Sequence, residues 1–396
     1  MFRIGQEELD ALARVIKERK FFKTEGTECF SFEKEFCQKV DCKHSILMTS
    51  GEAALISALT GMGIGPGDEV IVPAYTYIAT AMAVTAVGAI PVICEVDETL
   101  TIDVADMEKK IGPYTRAVIP VHMQGFPCNM GPLMEVAKAH GIQVLEDACQ
   151  ANGATWQGKR VGTFGDAGAF SFNFYKILSA GEGGCLITDN DDIYQKALIY
   201  HDASAVAFFG NQLDQVQQPL FCGTEYRANE FSAAILREQL KRLDPLVEDL
   251  RKGVEYVEDA TKDILTFIPC HDKDGRATNI LAIRFDTQQQ AEAFAACDGV
   301  LGTVPIHTGK HVYTNWQPIL EHRGALHPAM NPFEMEQNRG RNMNYTKDMC
   351  PNTLQYLSTT VFVGLLPWGT GEYDWKQTDF DWKIERLRNA AKLVSR

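Results

Sequence analysis

The sequence predicts an α/β protein. A large domain over residues 1–245 carries a mostly parallel sheet covered by helices, and a smaller α/β domain follows over 246–396. Three observations support this expectation. From about residue 50 the chain alternates short apolar runs with segments of helical periodicity, a pattern that buries a parallel sheet between two helical layers. The alternation weakens after Thr188. A second strand-like run, followed by a helix, then begins at Asn279.

In chain order, Leu9, Leu12 and Ile16 set an apolar stripe on an opening helix. Thr49-Ser50-Gly51 precedes Ala53 to Thr60, a good helix former. EVIVP (69–73), PVICEV (91–96), AVIPV (117–121) and IQVLE (142–146) read as buried strands. Helical patterns at 76–87, 103–110 and 131–140 lie between them. Crossovers of one hand follow, and ligands bind beyond the carboxyl ends of such strands. Asp147 stands one residue past one of those ends. Gly181-Glu-Gly-Gly184 marks a tight turn into a strand at 185–188. Residues 204–222 form an irregular, Gln-rich loop. One long helix is expected from Asn229 to about Lys252, with Ala233, Leu236, Leu240 and Leu243 on one face. NILAIRF (279–285) reads as a strand and 288–297 as a helix. There are no internal repeats or low-complexity tracts.

With 396 residues, 45% of them hydrophobic, the chain can bury a large core. A formal charge of −14 disfavours non-specific binding to nucleic acid or acidic membranes. The eleven cysteines include no C-x-x-C, and the nearest pair is Cys37 and Cys42. Reduced, mostly buried thiols are therefore expected rather than a metal site or a disulfide framework. The histidines show no ligand spacing, so no metal is expected. The N-terminus lacks a basic segment followed by a long apolar one. The uncharged stretch from Ile78 to Cys94 is broken by Gly88 and Pro91, which makes it helix, turn and strand rather than a membrane span. A soluble, cytoplasmic protein is expected, with neither nucleic acid nor membrane as partner.

The chemistry concentrates around Lys176, in Ser171-Phe-Asn-Phe-Tyr-Lys176-Ile-Leu-Ser-Ala-Gly181-Glu-Gly-Gly184. A single lysine is ordinarily a solvated surface charge. This one follows the apolar AGAFSFNFY, and burial lowers a lysine's pKa, which suits an amine that forms a Schiff base. Asp147 alone would be an ordinary helix cap. Paired with Lys176, it suits a buried pyridinium nitrogen, and the two together describe a site for pyridoxal phosphate. Backbone N–H groups at the helix start after Ser50-Gly51, with the Ser171 hydroxyl, suit the phosphate, although a simple helix cap explains Ser50 equally well. Tyr77 suits stacking on a flat ring, or a place in a core helix.

Several blocks together resemble the DegT/DnrJ/EryC1/StrS aminotransferases, the sugar aminotransferases of the aspartate aminotransferase fold (fold type I). The resemblance runs from about Ser31 to Leu243, and the last third matches only loosely. It is carried by Gly65-Pro-Gly-Asp-Glu-Val-Ile-Val-Pro73, Ile119-Pro-Val-His122, Glu146-Asp-Ala-Cys-Gln150, Gly162-Thr-Phe-Gly-Asp166, the Ser171–Lys176–Gly184 block and Tyr226-Arg227. The resemblance implies that Lys176 is the Schiff-base lysine and Asp147 the partner of the pyridine nitrogen. It implies Gln150 near the cofactor's phenolic oxygen, Tyr77 against the ring, and Ser171 with the Ser50–Gly51 turn on the phosphate. It further implies a homodimer with shared active sites. Two positions depart from the family pattern. Glu52 stands where Thr or Ser is usual, and Glu225 where a phosphate-binding Asn of the neighbouring subunit is usual. A carboxylate repels a phosphate, so Glu225 is not expected to be a direct ligand. The Glu52 backbone N–H can still donate, with Arg227 or another cation compensating.

The function implied is transfer of an amino group from glutamate (or glutamine) to a keto or aldehyde sugar. That sugar would be used in cell-surface polysaccharide or secondary-metabolite biosynthesis and would usually be nucleotide-linked. A sugar without a nucleotide is the alternative, such as 8-oxo-3-deoxy-manno-octulosonate, the precursor of an 8-amino sugar of lipopolysaccharide. Two other classes share the fold or the cofactor. Keto-sugar dehydratases commonly carry His in place of the lysine, and a non-catalytic cofactor-binding sensor would lack turnover. Selectivity is expected in the 204–222 loop and in His307, His311, Tyr313, Trp316, Trp368 and Trp375.

Overall fold

The computed structural model describes residues 4–208, 217–366 and 380–394. The first strands are β1 (His44–Met48), β2 (Glu69–Pro73), β3 (Ile90–Cys94), β4 (Thr115–Val118) and β5 (Gln143–Asp147). A small ribbon of β6 (Thr155–Trp156) and β7 (Lys159–Arg160) precedes β8 (Ala167–Ser171) and β9 (Gly184–Thr188). Seven of these build one sheet in the order β1-β9-β8-β5-β4-β2-β3. The β3-β2-β4-β5-β8 set is parallel throughout, whereas β9 runs antiparallel to both of its neighbours. The reversal has a covalent cause. Only twelve residues, 172–183, join β8 to β9, and they form turns rather than the crossover helix that a parallel return requires. That joining loop carries Lys176.

Helices α1 (Gln6–Glu18), α2 (Glu28–Val40), α3 (Gly51–Gly61), α4 (Ala79–Ala86), α5 (Val104–Lys110), α6 (Met130–His140) and α7 (Asp191–His201) flank this sheet. The strands and helices expected between 69 and 147 all form. The shortened pattern at 76–87 leaves Tyr77 ahead of α4 rather than inside a core helix. Two expectations are corrected. The buried residues of α1 are Glu8, Ala11 and Val15, while Leu9 and Ile16 are 57% and 58% exposed. The helix is rotated because Ala11 and Val15 pack on Ala234 and because Glu8 pairs with Arg242. The long helix from Asn229 is in fact two helices, α8 (Glu230–Leu240) and α9 (Leu243–Thr261). Pro245 sits in the first turn of α9. A continuous helix would set its ring against the Lys241 carbonyl and lose one N–H donor. The expected apolar positions Ala233, Leu236, Leu240 and Leu243 are nonetheless all buried.

A second, antiparallel sheet has the order β10-β11-β13-β12, formed by β10 (Thr266–Phe267), β11 (Ile280–Arg284), β12 (Gly302–Thr303) and β13 (Thr360–Gly364). Helix α10 (Gln288–Ala295) covers part of it. The chain between β12 and β13 does not stay on this sheet. The Thr76 and Ile78 amides donate to His311 and Lys310 carbonyls at 3.0 and 3.1 Å, and the Tyr313 amide donates to Ala74 at 3.0 Å. This return brings 310–313 alongside the end of β2. No described helix is long and apolar enough to cross a membrane. Residues 209–216 of the Gln-rich loop, with Trp368 and Trp375, lie outside the described residues.

Candidate active site

A cavity of about 510 Å³ opens beyond the carboxyl ends of β5 and β8. Eight of the nine residues expected from the sequence to be catalytic or to bind the cofactor line it: Ser50, Gly51, Glu52, Tyr77, Asp147, Gln150, Ser171 and Lys176. They come from four separate stretches of chain, and the sheet brings them together.

Alternation along β5 separates two acids that are adjacent in sequence. Asp147 faces the cavity, where Thr80 Oγ1 donates to its Oδ2 at 2.8 Å and the Cys149 amide donates to its Oδ1 at 3.1 Å. Glu146 points the other way and is fully buried. It accepts from the amides of Gly162, Phe164 and Gly165 at 2.6–2.8 Å. His122 Nε2 lies 3.0 Å from Glu146, and the Cys128 amide donates to His122 Nδ1 at 3.0 Å. A nitrogen that accepts carries no proton, so this imidazole is neutral and its Nε2–H donates to the carboxylate. The blocks around His122 and 162–166 are thus scaffolding that fixes β5, and through it Asp147.

The Lys176 loop is closed by backbone bonds from Phe172 to Gly183 at 2.8 Å and from Phe174 to Gly181 at 2.9 Å. Burial holds the Lys176 amine below the ordinary lysine range. The Lys310 charge pushes the same way, and Asp147 opposes it. A depressed lysine pKa means that the folded apoprotein binds fewer protons than the unfolded chain between its folded pKa and about pH 10.5. The resulting cost is complete below the folded pKa and disappears as pH rises through that value towards 10.5. Lys176→Met is therefore expected to stabilise the apoprotein near neutrality, and the gain should shrink as pH rises. Urea denaturation at pH 7 and 10 checks this, and a gain that grows with pH would contradict it.

The start of α3 forms a cradle. Ser50 caps the helix, its Oγ accepting from the Ala53 amide at 3.0 Å, so the Gly51 and Glu52 amides point outward with the positive end of the helix dipole. Backbones approach closely here. A Cβ on Gly51 would lie 2.6 Å from Cys149 Sγ, and one on Gly184 would lie 2.2 Å from Ser50 C and O. The Gly-rich turn after Lys176 therefore does more than reverse the chain, because Gly184 lets β9 lie against the cradle. Gly184→Ala is expected to cost about 1–3 kcal/mol and to weaken cofactor retention. Denaturation and bound-cofactor stoichiometry measure the two effects, and a variant matching wild type in both would refute the argument.

Around the cavity, Gln150 Oε1 accepts from the Gln124 amide at 3.2 Å. Tyr77 is 41% exposed, with Lys310 Nζ 5.0 Å and the His311 ring 5.6 Å from its ring centre. Burial lowers the His311 pKa to about 4, leaving the ring neutral. Burial likewise raises the Glu52 carboxyl above its ordinary value. These groups fit pyridoxal phosphate. They supply a buried acid for the ring nitrogen, amides and hydroxyls at a cradle too tight for a Cβ, an aromatic face and a desolvated amine.

Arg227 does not line this cavity. Its guanidinium pairs with Asp202 and Glu225 and lies 4.8 Å over the Phe22 ring. Besides Lys176, the cationic side chain among the described residues lining the cavity is Lys310, which the sequence did not single out. It sits in an irregular Thr-Gly-Lys-His segment with no periodicity to mark it. Thr80 was also missed, although its position one helical turn after Thr76 is a usable signal. Of the expected selectivity residues, His311 reaches the cavity. His307 is exposed and pairs with Glu292 at 2.9 Å, while Tyr313 and Trp316 are wholly buried packing residues.

Residues 3–361 match the model of the DegT/DnrJ/EryC1/StrS aminotransferase family. The chain is 44% identical over 236 residues to GDP-perosamine synthase of Caulobacter vibrioides, a match spanning 59% of this chain and 62% of that relative. It is 32% identical to the spore coat polysaccharide biosynthesis protein SpsC of Bacillus subtilis, over 98% of this chain and 95% of SpsC. The solved structure of DesV from S. venezuelae, in complex with a ketimine intermediate, superimposes with a TM-score of 0.76 at 28% identity. That match covers 98% of this chain and 95% of DesV.

Proposed function

The chain belongs to the DegT/DnrJ/EryC1/StrS aminotransferase family of pyridoxal-phosphate-dependent enzymes, and on that premise we propose that it moves an amino group from glutamate (or glutamine) to a keto or aldehyde sugar. The observation that carries the proposal is the convergence of Lys176 and Asp147 on one cavity. When bound, pyridoxal phosphate withdraws electrons from the donor's Cα as its C–H bond breaks. The protein's own groups supply the rest. Lys176 Nζ, kept short of protons by burial, would hold the cofactor at its aldehyde carbon and, once displaced by the donor's amine, would take up the proton from the donor's Cα and return it on the cofactor side. Asp147 keeps a negative charge at the pyridine nitrogen, and the Thr80 hydroxyl and Cys149 amide fix its orientation. Ser50, Gly51 and Ser171, with the Glu52 amide, hold the phosphate. Tyr77 would bound the ring and Gln150 would lie near its phenolic oxygen. A homodimer belongs to the same proposal, and solution mass tests it.

The acceptor is proposed to be a nucleotide-linked keto sugar, as the names of GDP-perosamine synthase and of a dTDP-amino-sugar transaminase from Streptomyces venezuelae suggest by likeness. A second reading is a sugar without a nucleotide, such as 8-oxo-3-deoxy-manno-octulosonate. It is favoured by Glu52 and Glu182, two carboxylates on the cavity wall that would repel a diphosphate. The test is the absorbance spectrum of the holoprotein. Glutamate should convert the visible band of the lysine-bound cofactor to a near-ultraviolet one, and the true acceptor should restore it. Restoration by UDP-, GDP- or dTDP-keto sugars alone would reject the second reading. A band indifferent to every amino donor would reject transamination and favour the dehydratase or sensor class.

A further inference from the structure

We propose that Lys310 is the carboxylate-binding residue of this cavity, its ammonium receiving a carboxylate of the amino donor or of an acidic sugar acceptor. The inference rests on the aminotransferase function proposed above and adds to it the group that recognises substrate charge. Two lysines, 176 and 310, and no arginine are among the described residues lining the cavity. Lys176 is committed to the cofactor. His311 is held neutral by burial. Asp147, Glu52 and Glu182 are acids on the same wall, and the cofactor's phosphate adds further negative charge. A substrate carboxylate entering this field is repelled unless a cation meets it, and among the described residues lining the cavity Lys310 is the one that can.

An exposed lysine is usually a solvated charge that does nothing specific, but three observations set Lys310 apart. Its ammonium lies 5.0 Å from the centre of the Tyr77 ring, on the cavity side of the molecule. Among the described residues no carboxylate lies within ion-pair distance of it, although 23% of the chain is charged. Its backbone is also fixed from two directions. The Lys310 carbonyl accepts from the Ile78 amide at 3.1 Å and from Nε1 of the fully buried Trp316 at 3.1 Å. Asn315 Nδ2 donates to the neighbouring Gly309 carbonyl at 2.9 Å. The backbone that carries this side chain is thus anchored to the main sheet through 74–78, while its charged end has an aromatic face beside it and, among the described residues, no acid beside it. An ammonium carried on a fixed backbone and free of a competing acid loses less on gripping an anion than one that must first leave an ion pair.

The experiment compares wild-type holoprotein with Lys310→Met and Lys310→Arg. Calorimetry measures the binding of L-glutamate, D-glucuronate and D-glucose, and cofactor stoichiometry and Tm are recorded for each protein. Cofactor content and Tm should be unchanged. If the donor supplies the carboxylate, Lys310→Met weakens glutamate binding about 10- to 100-fold, and Lys310→Arg restores most of it. If the acceptor supplies it, the variant instead loses the preference for glucuronate over glucose. Unchanged binding of both acids would overturn the inference. So would loss of cofactor from Lys310→Met, which would place the ammonium on the phosphate. Failure of glutamate to shift the wild-type spectrum would count against the aminotransferase function alone, since the glucuronate comparison still reports on Lys310.

Discussion

Lys176→Ala is expected to lower turnover by about 10,000-fold, the upper range for a residue that transfers the proton in the rate-determining step, and to remove the visible band altogether. The reasoning is local. The amine is held by a loop pinned at Phe172–Gly183 and Phe174–Gly181, and the other cavity lysine, Lys310, has its backbone anchored on a different segment. No neighbour can therefore take over the role. The cradle at Ser50–Gly51 and the Asp147 carboxylate do not depend on Lys176 for their hydrogen bonds. The variant should consequently still bind the cofactor non-covalently, with an unbonded-aldehyde spectrum and near-normal stoichiometry. Its thermal stability should not fall, because the lost group is a desolvated amine. Glutamate-driven conversion of the cofactor at the wild-type rate in this variant would show that another base does the work.

Asp147→Asn is expected to be the next most damaging substitution, lowering the rate of the glutamate half-reaction on the order of 1,000-fold. Asparagine has the shape of aspartate but no charge, so it cannot hold a proton on the pyridine nitrogen electrostatically. One of its amide hydrogens would also face a donor, either the Thr80 hydroxyl at Oδ2 or the Cys149 amide at Oδ1. The Thr80 hydroxyl can turn to Thr76, 2.8 Å away, so the fold should tolerate the change. Single-turnover spectroscopy with glutamate separates the outcomes. A slow half-reaction with normal cofactor content supports a charge role. A rate equal to wild type would mean that the ring nitrogen is not paired with this acid.

The strands between 69 and 147 were legible because most of their residues are buried on both faces, so each contains an apolar run bounded by turns. Asp147 and Lys176 were legible because a charged residue at the end of such a run is unusual on solvation grounds. Arg227 stands apart from the described lining of its own chain's cavity and is paired with Asp202, whose proximity no local pattern reveals. Leu9 and Ile16 misled for a related reason. A helical stripe identifies an amphipathic face, but the packing partner decides which face turns inward, and on α1 that partner is Ala234 together with Arg242.

By itself the sequence determined the α/β class, the succession of the main strands and the two residues proposed to carry the chemistry, since burial pattern and isolated charge are local properties of a chain. The tertiary structure alone added the groups that no reading along the chain had joined to that site. Gly184 meets the Ser50 turn, Thr80 meets Asp147, and Lys310 returns from the last third of the chain to stand beside Tyr77. Each of these contacts joins residues far apart in sequence through the packing of whole elements. Their separation is fixed by the sheet and not by any spacing that can be read along the chain.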